Sequence, residues 1–325
     1  MKTTHLLLSI PLALLVVSGC TSDELQEKPQ TNEKGEYAVR FSGNMDMTLT
    51  KANTTDVATG VKATISAYTK DATVTSTDAI VSKGYTVGST VGTFEGDASY
   101  VMYLPKGDYD FYAVSTNSAI AAPVFTSGVS AVLANGVDYI WATSANFNVP
   151  TNTDKVVTLD FHRKAVKIII NVESGDGVEL TAWKATAATD NDNATITPPD
   201  PSTTVKMNLA DGMITSATTL TAAVNMTTTA VVSKKATASY IMLPLGSGQN
   251  PTVTLNVKVK IGGRDEADKQ YTATLTAPAS TSSAFTSGNQ YTYTATLKAN
   301  KIEFTGATVA NWSEQTGGAL TPTEP

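Results

Sequence analysis

The sequence predicts an all-β protein organised as two tandem β-sandwich domains. Three observations carry that expectation. Beyond its amino-terminal leader the chain is rich in Thr, Val, Ala and Ser and holds no long run of apolar residues at helical spacing. Short stretches instead alternate apolar and polar residues, the pattern of strands with one buried face. Turn-forming clusters separate the stretches, and roughly 290 residues follow leader and tether, too many for one sandwich of ~100 residues.

Taken in order, the first alternation sets Tyr37, Val39 and Phe41 against Ala38, Arg40 and Ser42. The next sets Val61, Ala63, Ile65 and Ala67 against Lys62, Thr64, Ser66 and Tyr68. Val166, Ile168, Ile170 and Val172 alternate with Lys167, Ile169 and Asn171. Val253, Leu255, Val257 and Val259 alternate with Thr254, Asn256, Lys258 and Lys260. Two Thr-interleaved strands follow, at residues 271–275 and 291–297. Turn chemistry falls between them at Pro105-Lys106-Gly107, Asn135-Gly136, residues 174–177, residues 198–201, residues 246–251, Gly262-Gly263 and residues 287–289. A faint internal echo, Ser-Tyr-Val-Met at 99–102 and Ser-Tyr-Ile-Met at 239–242, each leads into Leu-Pro and then a strand. Read as a repeat, it puts the boundary between two related domains near residues 161–165. The expected division is 1–19 leader, 20–35 tether, 36–162 first sandwich and 163–325 second sandwich, with Greek-key links.

The leader fixes the compartment. Lys2, the apolar residues 6–17 and the small residues Ser18 and Gly19 have the layout of a secretory signal. The run is too short for a bilayer span, which needs ~20 residues. The one cysteine of the chain, Cys20, follows directly, and Val-Ser-Gly-Cys resembles a bacterial lipobox. Cleavage between Gly19 and Cys20, with a diacylglycerol and palmitate-type acyl chains on the thiol, would anchor the protein at the outer membrane. Each buried methylene contributes about 0.8 kcal/mol to such an anchor. The polar residues 21–35 read as a flexible tether. Asp23-Glu24 resembles the surface-export signal of lipoproteins in anaerobic Gram-negative bacteria.

Composition narrows the chemistry. Charged residues are sparse at 16% with net charge −6, so no basic stripe points to nucleic acid. A lipidated Cys20 leaves no thiol for a disulfide. His5 leaves with the leader, so His162 is the only imidazole for a zinc site or a triad. It sits in a strand-like segment without any Gly-x-Ser-x-Gly elbow and reads as a half-exposed strand residue. Asp190-Asn-Asp-Asn193 lacks the Gly and distal Glu of a calcium loop and reads as solvated. Trp141, Trp183 and Trp312 could form a sugar-stacking platform, but their separation favours packing roles. Neither a cofactor nor a metal is expected, and an enzyme is not.

The amino-terminal strand, residues 37–41, hangs off the tether and precedes an irregular stretch, residues 43–60, that holds Lys51 in Thr50-Lys51-Ala52. A protease cutting there would detach the strand and open a groove for another chain's strand. Such a ribbon should leave its sandwich one edge short when it goes; residues 37–41 dangling outside any sheet, or buried centrally with partners on both flanks, would sink the proposed assembly. The plainer reading is a strand that completes the first sandwich for good.

Several pieces together resemble a fimbrillin, a type V pilus subunit of anaerobic Gram-negative bacteria. They are the lipobox at Cys20; Val39-Arg40-Phe41 followed by Thr50-Lys51-Ala52; residues 103–107 with 109–114; residues 138–142; residues 157–162; residues 286–291; and the isoleucine-to-tryptophan segment 302–312. The resemblance implies two transthyretin-like sandwiches, lipoprotein export and removal of the ribbon bearing Tyr37, Val39 and Phe41 by a trypsin-like protease. Assembly with other fimbrial subunits by donor-strand exchange and a role in adhesion follow from it. The implied cut is after Lys51, before Ala52, with Arg40 as second candidate, although the family usually carries arginine there. Residues 313–325, polar and holding Gly317, Gly318, Pro322 and Pro325, are poor strand material. Either residues 302–312 supply the donor or the chain is a tip, anchor or minor component. The rival from another class is a surface glycan-binding lipoprotein with the same leader and tandem sandwiches, marked by an exposed aromatic pair.

Overall fold

The computed structural model describes residues 31–46, 54–149, 156–185, 193–202, 204–299 and 301–312. Cys20, Gly19, Lys51, Ala52 and Asp190 lie outside them. The described chain is all-β, its only helical pieces being two single 3-10 turns.

The first half carries β1 (Tyr37–Asp46), β2 (Thr54–Asp56), β3 (Lys62–Thr69), β4 (Val81–Val87), β5 (Thr93–Gly96), β6 (Met102–Leu104), β7 (Gly107–Ser115), β8 (Phe125–Thr126), β9 (Val129–Ser130), β10 (Ile140–Val149) and β11 (Val156–Arg163). β8 and β9 form a small hairpin, and the other nine strands share one sheet. Its order is β11-β10-β7-β3-β4-β5-β1-β2, with β6 beside β1. β1 also pairs with β11 in parallel, Arg40 opposite Val156 through Met45 opposite Phe161. Seven strands therefore close into a barrel-like circuit, where the sequence pointed to a two-sheet sandwich. The cause is that parallel return of β11 to β1. Alternation marks which face of a strand is wet, not which strand lies beside it.

The circuit is filled from the apolar phase of each strand. Val157, Leu159 and Phe161 of β11 are buried while Thr158, Asp160 and His162 are exposed, a strict period of two. Phe41 of β1 meets Tyr85 and Phe111 edge-on, each at 5.3 Å between ring centres. Gly43 lets the rings of neighbouring strands close over β1, because a Cβ there would stand 2.5 Å from Phe94 and 3.1 Å from Phe161.

The second half carries β12 (Val166–Ser174), β13 (Val178–Trp183), β14 (Ala194–Ile196), β15 (Val224–Asn225), β16 (Thr227–Thr228), β17 (Lys235–Met242), β18 (Thr252–Ile261), β19 (Ala267–Thr274), β20 (Asn289–Leu297) and β21 (Ile302–Asn311). One sheet runs β16-β17-β12-β20-β21, with β12 and β20 parallel. The other has β18 at its centre, β19 along one flank and β13 then β14 along the other, with β15 beside β14. Ile168, Ile170 and Val172 of the first sheet share a core with Leu255, Val257 and Val259 of the second, the arrangement of a sandwich.

The two halves are not beads on a linker. Tyr68, Val114, Leu133, Tyr139 and Trp141 belong to the second core, not the first. Backbone bonds join the β8–β9 region to residues 205–209: Ser130 N donates to Met207 O at 2.9 Å, Leu133 N to Val205 O at 3.0 Å and Leu209 N to Gly128 O at 2.8 Å. These segments lack alternation, so the seam has no sequence signature.

Burial pushes the phenols of Tyr85 in the first core and Tyr293 in the second well above their ordinary range, with Tyr100 and Tyr291 adding in the same direction. A phenol whose folded-state pKa is raised stabilises the fold fully below its unfolded pKa, and that contribution is lost as pH climbs above it. Thermal midpoints are therefore expected to fall once pH exceeds about 10. Melting curves across that window check the expectation, and Tyr293→Phe should flatten the decline.

Candidate functional site

The site begins with β1. One of its ladders runs along β11. On its other side Phe41 and Ser42 pair with Phe94 and Thr93 of β5, and Asn44 and Met45 with Asp56 and Thr55 of β2. Tyr37, Ala38 and Val39 pair with Leu104, Tyr103 and Met102 of β6. Where the sequence pointed to an edge ribbon, the structure gives β1 partners on both flanks. Val39, Phe41 and Met45 are buried beneath it. The side chain of Arg40 is exposed, yet its backbone is held in the β11 ladder opposite Val156. Lys51 and Ala52 fall in the stretch between β1 and β2.

The second part of the site is β21, which among the described residues pairs with β20 alone and ends its sheet. Ile302, Phe304, Ala307 and Val309 are half-buried against the second core. A bulge interrupts the ladder, so that Thr308 faces Thr292 while Thr305 faces Thr294. Trp312 just beyond is buried, and its backbone N donates to Gly288 O at 2.8 Å. The Arg163 guanidinium lies 4.9 Å from the Trp312 ring centre and the Lys167 ammonium 5.6 Å from it. Arg163 Nε in turn donates to Asp138 Oδ2 at 3.0 Å, and Asn117 Nδ2 to the same oxygen at 2.8 Å. This cluster ties the end of β21 to the seam between the halves. Its signal was legible: Arg163 falls in the inward phase of β11, where Val157, Leu159 and Phe161 precede it.

The remaining candidates stay apart. His162 lies exposed on the outward face of β11. All three tryptophans are buried in separate surroundings, Trp141 Nε1 donating to Leu209 O and Trp183 Nε1 to Thr229 O. They make no exposed platform for sugar rings. Asn193 Oδ1 accepts a bond from Ala185 N at 2.8 Å, a loop-closing role. Among the described residues no three His, Cys, Asp or Glu side chains gather as a metal site.

Backbone ladders and alternating apolar side chains build an all-β scaffold over the described residues. A family model described as fimbrillin-like matches residues 50–312, and the chain belongs to that family. Its members are structural subunits, not enzymes, and this chain is accordingly not an enzyme. A candidate cell adhesion protein from Bacteroides uniformis ATCC 8492 is similar in structure, with TM-score 0.55 and 20% identity over 87% of this chain and 100% of that one. A second, from Bacteroides ovatus ATCC 8483, gives 0.58 and 17% over 86% and 99%. A fimbrial protein from Bacteroides vulgatus ATCC 8482 gives 0.50 and 13% over 84% and 99%. At these identities the likeness is one of fold. No curated protein matches the chain by sequence.

Proposed function

We propose that this chain is a structural subunit of a surface fimbrium that supports adhesion. It is exported as a lipoprotein through Cys20, held at the outer membrane and matured by a trypsin-like protease. Its assembly units are residues 36–162, built on the barrel-like circuit, and residues 163–325, built on the sandwich, and it joins other fimbrial subunits by strand exchange. The observation that carries this reading is the fimbrillin-like match over residues 50–312; the doubly paired β1 counts against a ribbon that simply peels away. Removing an interior strand leaves a slot with two unpaired ladders and empty pockets for Val39, Phe41 and Met45. Another strand is the natural filler, because it satisfies both ladders at once.

The double-flanked position changes how release must work. A cut edge ribbon would peel away; β1 is held by ladders on both sides and by buried side chains. Cleavage after Lys51 therefore leaves a nicked but closed subunit. Exchange proceeds only as an arriving strand takes over the ladders. Arg40 is the poorer substrate, since its backbone is held in the β11 ladder and nicking favours backbone outside ladders. Limited trypsin treatment of the purified chain tests this. The expected product has Ala52 as its new terminus, keeps the ribbon in native gels, loses it in denaturing ones, and forms ladders on standing at high concentration. A chain that resists the cut, or that stays monomeric after the ribbon is stripped, would overturn the proposal.

A further inference from the structure

The wet face of the second sandwich carries a groove that the subunit role leaves unexplained. It is about 470 Å³ in volume and opens on the outer side of β12, β17 and β20. The outward phase of β12 brings Asn171 and Glu173 to its floor. Register sets Asn171 between Thr237 of β17 and Thr294 of β20, and Glu173 opposite Lys235. The floor is therefore two rows of hydrogen-bonding side chains, neighbours in a row standing about 4.8 Å apart from strand to strand. The segment that follows β16 flanks it. Thr229 fixes the root of that segment: its O accepts from Trp183 Nε1 at 2.7 Å, and its N donates to Thr237 O at 2.9 Å. At the far end Val232 and Lys235 exchange both backbone bonds around Ser233 and Lys234. Those two residues are left-handed, with φ of 50° and 64°, where such a turn ordinarily uses Asn-Gly. The strained tip holds Val232, 67% exposed, as an apolar lip beside Ala230.

We propose that this groove binds a neutral, hydroxyl-rich sugar, a hexose unit of a polysaccharide. Lys235 Nζ and Glu173 Oε2 stand 3.6 Å apart, so their charges cancel across the floor and neither an anion nor a cation is drawn in. What remains is a mixed set of donors and acceptors. Asn171 Oδ1 accepts from Thr237 Oγ1 at 3.4 Å, and Glu173 Oε1 from Thr296 Oγ1 at 3.3 Å. Asn171 Nδ2 and the Thr294 hydroxyl have no partner among the described residues. A ligand that meets these groups must donate and accept at close spacing, as adjacent sugar hydroxyls do. The apolar lip suits the C–H face of the ring. A peptide strand has no such match, because these groups lie on the face of a sheet and not along an open edge. Recognition runs through hydrogen bonds and needs no aromatic platform. The inference goes beyond the subunit role and does not depend on strand exchange.

The test uses the intact, uncut chain, so its outcome is independent of maturation and assembly. Labelled protein is applied to immobilised neutral polysaccharides (starch, mannan and galactan) and to anionic ones (pectin and heparin). Binding to at least one neutral polysaccharide is expected, and the free hexose of that polymer should compete it away. Raising salt from about 0.05 M to about 0.5 M should change the affinity less than about twofold, since no net charge is being screened. Asn171→Ala and Thr294→Val should each weaken binding at least about tenfold. Both side chains lie on the wet face, so the variants should melt as the parent does. Binding confined to the anionic polysaccharides, binding untouched by both substitutions, or no binding to any of the five would overturn the proposal. Each of those results leaves the fimbrial reading standing.

Discussion

Phe41→Ala is expected to destabilise the chain by about 3–5 kcal/mol, the cost of deleting a fully enclosed phenyl ring and leaving its cavity. Phe41 is 1% exposed and stands between Tyr85 and Phe111. It lies on the strand that closes the circuit, so the rings on both sides lose a partner. The site has little room to collapse, because Phe94 and Phe161 already close over Gly43 two residues along. Urea unfolding followed by intrinsic fluorescence measures the loss. A change under about 1 kcal/mol would mean that β1 is not integral to the folded unit, and the closed circuit would be wrong.

Asp138→Ala should cost a similar amount, about 3–5 kcal/mol, by removing the carboxylate that faces a buried guanidinium. The Arg163 side chain is 1% exposed and that of Asp138 13%. The substitution also takes the acceptor from Asn117. Arg163 lies over Trp312, so the loss should reach the end of β21 and raise hydrogen exchange at Trp312 N. Replacing both partners, Arg163→Met with Asp138→Leu, should recover most of the stability, because an apolar pair of similar volume carries no desolvation cost. If the double variant is no more stable than Asp138→Ala, the ion pair is not the source of the loss.

Much of the fold was legible in the sequence because it depended on which face of each strand is dry. The alternations at 61–67, 166–172, 253–259 and 291–297 fall on β3, β12, β18 and β20. The two-residue strands β8, β9, β15 and β16 lack enough turns of the pattern to register. The larger difference is topological: β11 runs parallel to β1, 116 residues distant at Ser42 and Thr158. No local pattern encodes such a neighbour, so an interior ribbon read as a margin. The segment 302–312 was legible as a unit, while the need for a glycine at position 43 was not. That need lies with Phe94 and Phe161, two aromatic residues far away in the chain whose proximity to Gly43 only the fold reveals.

The long loop joining β1 to β11 also shapes how the protein is born. The ribbon leaves the ribosome first, but its parallel partner emerges more than a hundred residues later. High contact order makes that pairing slow, since the chain entropy of so wide a closure is spent before any contact rewards it. Every newly made molecule therefore spends time with its last seam open. Because β1 is covalently joined to the rest of the chain, its effective concentration at that gap exceeds that of any strand from another molecule, so the circuit is expected to close from within.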